Sequence, residues 1–288
     1  MSNNLLKPPE IRTMTITSAE TKSLINLKQG SILGMLAGAF VAMGASASTV
    51  ASHSILNIGI SRFVSGMIFP VGLMLVIICG AELFTGNNLM FIALLEGKIK
   101  LKDMLKNWAI VYVFNFLGAL TIAILIFYSG VLDINSGKVG GALIKVAAYK
   151  SGLKFSRAFS SAILCNFLVC LAVWASFAAK DVAGKLVMSW FPIMAFVVCG
   201  FEHCVANMYY LTIGILAKSN LLYVQTSGLS ADKLSLISIK TIFNNLIPVT
   251  LGNIVGGCIL VSGAYYIAYK NNKKEENDKE VNFSKKAI

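Results

Sequence analysis

Charge is what this chain of 288 residues lacks: Asp, Glu, Lys and Arg together make up 13% of it, about half the share usual in a soluble domain. The little charge present is clumped. No charged residue occurs over residues 29–61, 108–132, 158–179 or 241–269, and blocks 63–95 and 186–217 hold one each, Glu82 and Glu202. Every block exceeds the roughly 18–20 residues that cross a bilayer core. Such a distribution excludes a soluble fold and predicts an all-α membrane protein of six spans. The mean hydropathy of +0.74 agrees.

Other absences narrow the function. The six cysteines all fall inside apolar blocks, with neither the pattern of a secreted disulfide framework nor zinc-type spacing. No nucleophile–base constellation, phosphate loop or nucleotide fingerprint occurs, so an enzyme, a cofactor and a bound metal are not expected. The net charge of +12 invites a nucleic-acid reading, but basic residues stand at block ends and in the tails without interleaved aromatics. The first 27 residues lack a continuous apolar run, so no cleavable leader is expected. The expected division is an N-terminal segment 1–27, a membrane domain 28–269 and a disordered tail 270–288, rich in Lys, Glu and Asn.

Six spans put both termini on one face. Sixteen of the 25 Lys and Arg fall on that face, which favours cytoplasmic termini. The Lys excess over residues 138–157 on the opposite face requires its own account.

An internal repeat is the most informative feature present. Residues 77–87 read Ile-Ile-Cys-Gly-Ala-Glu-Leu-Phe-Thr-Gly-Asn and residues 197–207 read Val-Val-Cys-Gly-Phe-Glu-His-Cys-Val-Ala-Asn. A weaker echo pairs Asn115 and Gly118 with Asn253 and Gly256. The copies lie three spans apart and therefore cross in opposite directions, the pattern of an inverted repeat of three plus three spans. A single helix over residues 63–95 would be about 50 Å long against a core of about 30 Å. A break is therefore expected in the second and fifth spans, at residues 85–88 and 205–207. Irregular backbone at that depth is tolerated only beside protein or a wet cavity.

Buried ionisable groups in a membrane are functional hypotheses by default. Glu82 and Glu202, with Asn87 and Asn207 five residues on, either support the helix breaks by accepting backbone N–H groups or handle ions and protons directly. His203 has no such twin, because Leu83 stands at its place in the first copy. A neutral imidazole there can donate to an anion and can also take up a proton; a packing histidine is the plainer alternative. A zinc site with Cys204 lacks further ligands. Thr85 offers a hydroxyl to an ion or to a helix end. Lys145, Lys150 and Lys154 belong either to a solvated loop or to a vestibule that concentrates anions. Glycines over residues 34–44 and 252–263 suit close helix packing.

These segments resemble the formate/nitrite transporter family over roughly residues 25–270. The resemblance rests on the repeat at 80–86, Lys-Val-Ala-x-x-Lys at 145–150, Leu-Cys-Asn-Phe-Leu-Val-Cys-Leu-Ala-Val-Trp at 164–174, and Gly-Phe-Glu-His-Cys-Val-Ala-Asn-Met at 200–208. It implies an aquaporin-like protomer in a homopentamer of the bacterial cytoplasmic membrane, in contact with lipid, with one pore per protomer. It also implies a central pore histidine at His203 paired with Thr85, a vestibule lysine at Lys150, and a chamber asparagine at Asn166. Apolar constrictions are implied at Phe69, Leu73, Leu83, Val169 and Phe196. The family's substrates are formate, nitrite and hydrosulfide. Segments 80–86 and 27–34 are similar to the clostridial hydrosulfide channels, so hydrosulfide export is the first expectation, with formate and nitrite next. A proton-coupled formate or nitrite carrier is the alternative to a channel.

Overall fold

The computed structural model describes residues 5–270. The tail assigned to 270–288 lies, apart from Lys270, outside the described residues. The chain opens with α1 (Pro8–Ser23), a helix where the sequence promised only a polar segment. Two prolines begin it, at positions whose N–H groups would be unpaired in any helix. The Glu10 carboxylate accepts from the Lys7 N–H at 2.6 Å. Ile11, Thr15 and Ala19 share one face of α1 and are buried.

Span one is α2 (Leu27–Ser52), capped by Asn26, whose side chain accepts from the Gln29 N–H. Span two joins α3 (Ile58–Ile68) to α4 (Val71–Cys79) through Phe69 and Pro70. It stops at Gly80, and the chain restarts as α5 (Phe84–Asn87) and α6 (Met90–Leu95). Span three, α7 (Leu101–Tyr128), leads through a single 3₁₀ turn to α8 (Lys138–Ser151). Span four is α9 (Phe155–Ala178) and span five α10 (Val182–Cys199), which stops at Gly200 and restarts as α11 (Cys204–Ala217). Two short helices, α12 (Leu221–Ser227) and α13 (Ala231–Ser235), precede span six. That span runs as α14 (Ile239–Val255), a π-helical stretch (Gly256–Gly263) and α15 (Ala264–Ala268). Among the described residues six helices are long and apolar enough to cross a bilayer, as the charge distribution requires.

Two expectations need correction. The breaks lie at residues 80–83 and 200–203, upstream of the polar clusters at 85–88 and 205–207. Gly80 (φ 76°) and Gly200 (φ 72°) adopt the left-handed conformation that ends a helix, and only glycine does so without Cβ strain. The hydroxyl and amide residues stand instead in the first turns of the restarted helices. The second concerns the stretch 138–157, for which a solvated loop is one of two readings: residues 138–151 form α8. Tyr223 of α12 fixes its entry by donating to Asp133 at 2.6 Å. Burial, and then the Asp133 carboxylate, push that phenol up to about 12.

Glycines set the span crossings. A Cβ on Gly38 of α2 would collide with the Asn115 carbonyl of α7, and one on Gly118 with the Met35 carbonyl. In the second half, Gly252 and Gly256 meet the Phe159 and Ile163 carbonyls of α9 in the same way. Because backbone, not a movable side chain, is struck, Gly38→Ala should force the two spans apart. A loss of about 1–3 kcal/mol, typical of overpacking, is expected in thermal unfolding of the detergent-solubilised protein.

Candidate functional site: two helix breaks joined by Thr85 and His203

A broken helix leaves backbone groups without partners, which a membrane interior does not forgive. One asparagine repairs each break. Asn115 accepts from the Phe84 N–H at 2.9 Å and donates to the carbonyls of Glu82 (2.9 Å) and Gly34 (2.8 Å). Asn253 accepts from the Cys204 N–H at 2.9 Å and donates to the carbonyls of Glu202 (3.1 Å) and Ala162 (2.8 Å).

The carboxylates therefore do not serve the broken backbone directly. Glu82 accepts from Asn87 and from Lys22, each at 2.6 Å. Glu202 accepts from Asn207 at 2.6 Å and from Lys150 at 2.9 and 3.0 Å. Asn87 also donates to Asn107, and Asn107 to the Lys22 carbonyl. Asn207 donates to Asn245, and Asn245 to the Lys150 carbonyl. Lys22 is thus the counterpart of Lys150, and α1 the counterpart of α8. The repeated unit is a short helix followed by three spans. Lys22, Asn107 and Asn245 escaped the sequence reading. A signal existed, since Lys22 precedes Gly34 by as many residues as Lys150 precedes Ala162.

Lys150, expected in an open vestibule, is buried and ion-paired. Its second neighbour is the ring of Tyr210, 5.5 Å away. Its charge is balanced at close range by Glu202.

The two halves meet at Thr85 and His203. His203 is the N-cap of α11, its Nδ1 accepting from the Ala206 N–H at 3.1 Å. A neutral imidazole that accepts at Nδ1 carries its hydrogen on Nε2, so Nε2–H donates to the Thr85 hydroxyl, 2.9 Å away. The Thr85 hydrogen is left to offer elsewhere. Thr85 caps nothing, because Leu83 is the N-cap of α5. Both residues are deeply buried, at 0% and 3% exposure.

A cavity opens on either side of this pair. One, of about 780 Å³, is walled by α1, the first break, Leu73, Leu83 and Val173. The other, of about 410 Å³, is walled by α8, the second break, Phe69, Phe196 and His203. The cavities share no wall residue. Phe69 meets Phe196 edge-on at 5.5 Å, and Phe196 stacks on the imidazole at 5.9 Å. Leu73 and Leu83 thus line the first cavity and Phe69 and Phe196 the second. His203 lines the second cavity, whereas Thr85, Val169 and Asn166 line neither. Asn166 sits behind Thr85, donating to Asn88 (2.8 Å) and to the carbonyls of Asn253 (2.7 Å) and Thr85 (3.3 Å). Among the described residues no cluster of three or more His, Cys, Asp or Glu is placed to hold a metal.

Comparison with known proteins places this geometry. The formate/nitrite transporter family model matches residues 9–267. The chain is 37% identical to the uncharacterised transporter YrhG of Bacillus subtilis, over 96% of this chain and 97% of that one. It is 36% identical to a probable formate transporter of Methanothermobacter thermautotrophicus, over 93% and 99%. It is 40% identical to the formate channel FocA of Haemophilus influenzae, over 70% and 72%. Among solved structures, a pentameric formate channel with formate bound superposes with a TM-score of 0.76 at 30% identity, covering 85% of this chain and 98% of that one.

Proposed function

The chain belongs to the formate/nitrite transporter family, whose members reported above are transporters and formate channels and not enzymes, and from that premise we propose that a monovalent anion crosses between the two cavities through the Thr85–His203 pair. The observation that carries this is one polar, hydrogen-bonding pair set into an otherwise apolar barrier. A bare anion pays heavily to enter a dry slit, and the Nε2–H of His203 or the free hydrogen of Thr85 offsets part of that cost.

His203 acts here as a hydrogen-bond donor. With Nδ1 engaged by Ala206, loss of Nε2–H would leave an imidazolate. An imidazolium would set its Nδ1–H against the Ala206 N–H, two donors facing each other. A permeant that crosses as its neutral acid takes its proton from water.

Relatives described as formate channels or transporters make formate the first permeant to test. Hydrosulfide, suggested by segments 27–34 and 80–86, is the second reading, and nitrite the third. The solved relative described as pentameric supports a five-copy assembly. The Lys and Arg balance supports cytoplasmic termini.

Purified full-length protein in liposomes should pass formate, hydrosulfide and nitrite without an imposed proton gradient. Strict dependence on a proton gradient would establish the carrier instead. Impermeability to all three would end the proposal.

A further inference from the structure

The hydrogen-bond networks of the two halves match, but the cavities in front of them do not match in charge. The α8-side cavity is walled by Arg62, Lys145 and Lys150, with Glu202 its one carboxylate. Because Glu202 is spent on Lys150, Arg62 and Lys145 remain as uncompensated cations. Neither makes an ion pair among the described residues, and both are exposed. Arg62 is held in place by one bond, from its guanidinium to the Val198 carbonyl at 3.2 Å, near the carbonyl end of α10.

The α1-side cavity is walled by Lys22, Glu20 and Glu82. Lys22 is paired with Glu82, which leaves Glu20 as the uncompensated charge. The register that carries Lys22 onto Lys150 carries Thr17 onto Lys145, and Thr17 is a wall residue of its own cavity. The fold thus places a neutral hydroxyl at one mouth where it places an ammonium at the other.

We propose that Arg62 and Lys145 form a capture site for small monovalent anions at the α8-side mouth, with no equivalent at the α1-side mouth. It rests on the anion-channel reading and adds sidedness to it. Two unscreened cations roughly 10 Å from an entering anion raise its local concentration about 2- to 5-fold. The paired lysines contribute little at that range, since their carboxylates cancel them. A passive pore cannot change the ratio of maximal rate to half-saturating concentration between its two directions. The capture site therefore shows as a lower half-saturating concentration for entry at the α8 side, with a proportionally lower maximal rate. Salt erases the effect, because at 0.5 M the screening length falls to about 4 Å.

The test uses right-side-out and inverted membrane vesicles carrying the full chain, with formate uptake measured at 10 mM and 500 mM ionic strength. At low ionic strength the half-saturating concentration should be about 2- to 5-fold lower from the α8 side, and equal from both sides at high ionic strength. Lys145→Gln should raise it about 2-fold from that side alone, and Lys145→Glu more. Arg62→Gln also loses the bond to Val198, so Arg62→Lys, which keeps the charge, serves as its control and should behave as the unmodified protein. Thr17→Lys should lower the value at the α1 side. Equal values from both sides at low salt, or no response to Lys145→Glu, would overturn the capture site while leaving the channel intact. Absence of formate, hydrosulfide and nitrite flux in the unmodified protein would instead overturn the channel reading itself.

Discussion

Replacing His203 with asparagine is expected to leave the protein folded while cutting anion flux about 10- to 100-fold. Asparagine is among the best N-cap residues, so the Ala206 N–H keeps its acceptor and α11 its start. The shorter side chain does not reach Thr85, and the barrier loses the Nε2–H donor, keeping only the Thr85 hydroxyl. A hydrogen bond to a charged group is worth about 1.5–3 kcal/mol, and each 1.36 kcal/mol is a factor of ten in rate. His203→Ala would lower flux too, but it removes the cap as well and adds about 1 kcal/mol of destabilisation. Liposome flux together with thermal unfolding separates the two losses. Unchanged flux in the asparagine variant would remove His203 from the permeation path.

The second large effect is on stability. Glu202→Ala leaves the Lys150 ammonium buried with only the Tyr210 ring beside it and strips Asn207 of an acceptor. Breaking one partner of a buried ion pair costs about 3–5 kcal/mol. Glu82→Ala should cost less, because the Lys22 side chain is 24% exposed against 11% for Lys150 and can turn toward water. Removing the charge of both partners, in Glu202→Gln with Lys150→Met, should recover much of the loss. Unfolding midpoints in detergent, compared across the four proteins, give the ranking. A Glu82→Ala loss as large as that of Glu202→Ala would mean that the exposure difference has no energetic consequence.

The spans, the inverted repeat and the importance of residues 80–87 and 200–207 could be read from the sequence because membrane chemistry writes them in composition. A bilayer core tolerates so few charges that Glu82 and Glu202 stand out without alignment. The position of the breaks was misread for a physical reason. Thr85, Asn87 and Asn207 look like helix breakers, yet in a membrane the backbone stops at the glycine that can take a positive φ, and the polar side chains gather downstream to repair it. Helix α1 was missed because its few apolar residues, Ile11, Met14, Ile16 and Ala19, are too sparse to stand out beside the spans. Its role is set by contacts with α6 and α7, which no local pattern records. The resemblance implied a vestibule lysine at Lys150, which does wall the α8-side cavity; its ion pair went unread, since sequence shows the Lys at residue 150 and the Glu at residue 202 but not the 2.9 Å between them. Asn166 was placed in the pore for want of any sign that backbone carbonyls at a span crossing would claim its amide.

The two matching networks also bear on how the chain assembles during synthesis. Lys22, Glu82, Asn87, Asn107 and Asn115 satisfy one another and the first break entirely within residues preceding α8. Their counterparts pair in the same way from Lys150 onward, except that Asn207 Oδ1 lacks the lysine partner that Asn87 Oδ1 has in Lys22. The N-terminal half can therefore bury its charges as soon as its third span leaves the ribosome, without waiting for a partner still being made. Nascent membrane segments with unsatisfied polar groups are poorly tolerated by lipid, and half-built proteins are prone to misassembly. A protein built of two self-sufficient polar units, later closed by Thr85 meeting His203, passes through synthesis with few exposed intermediates.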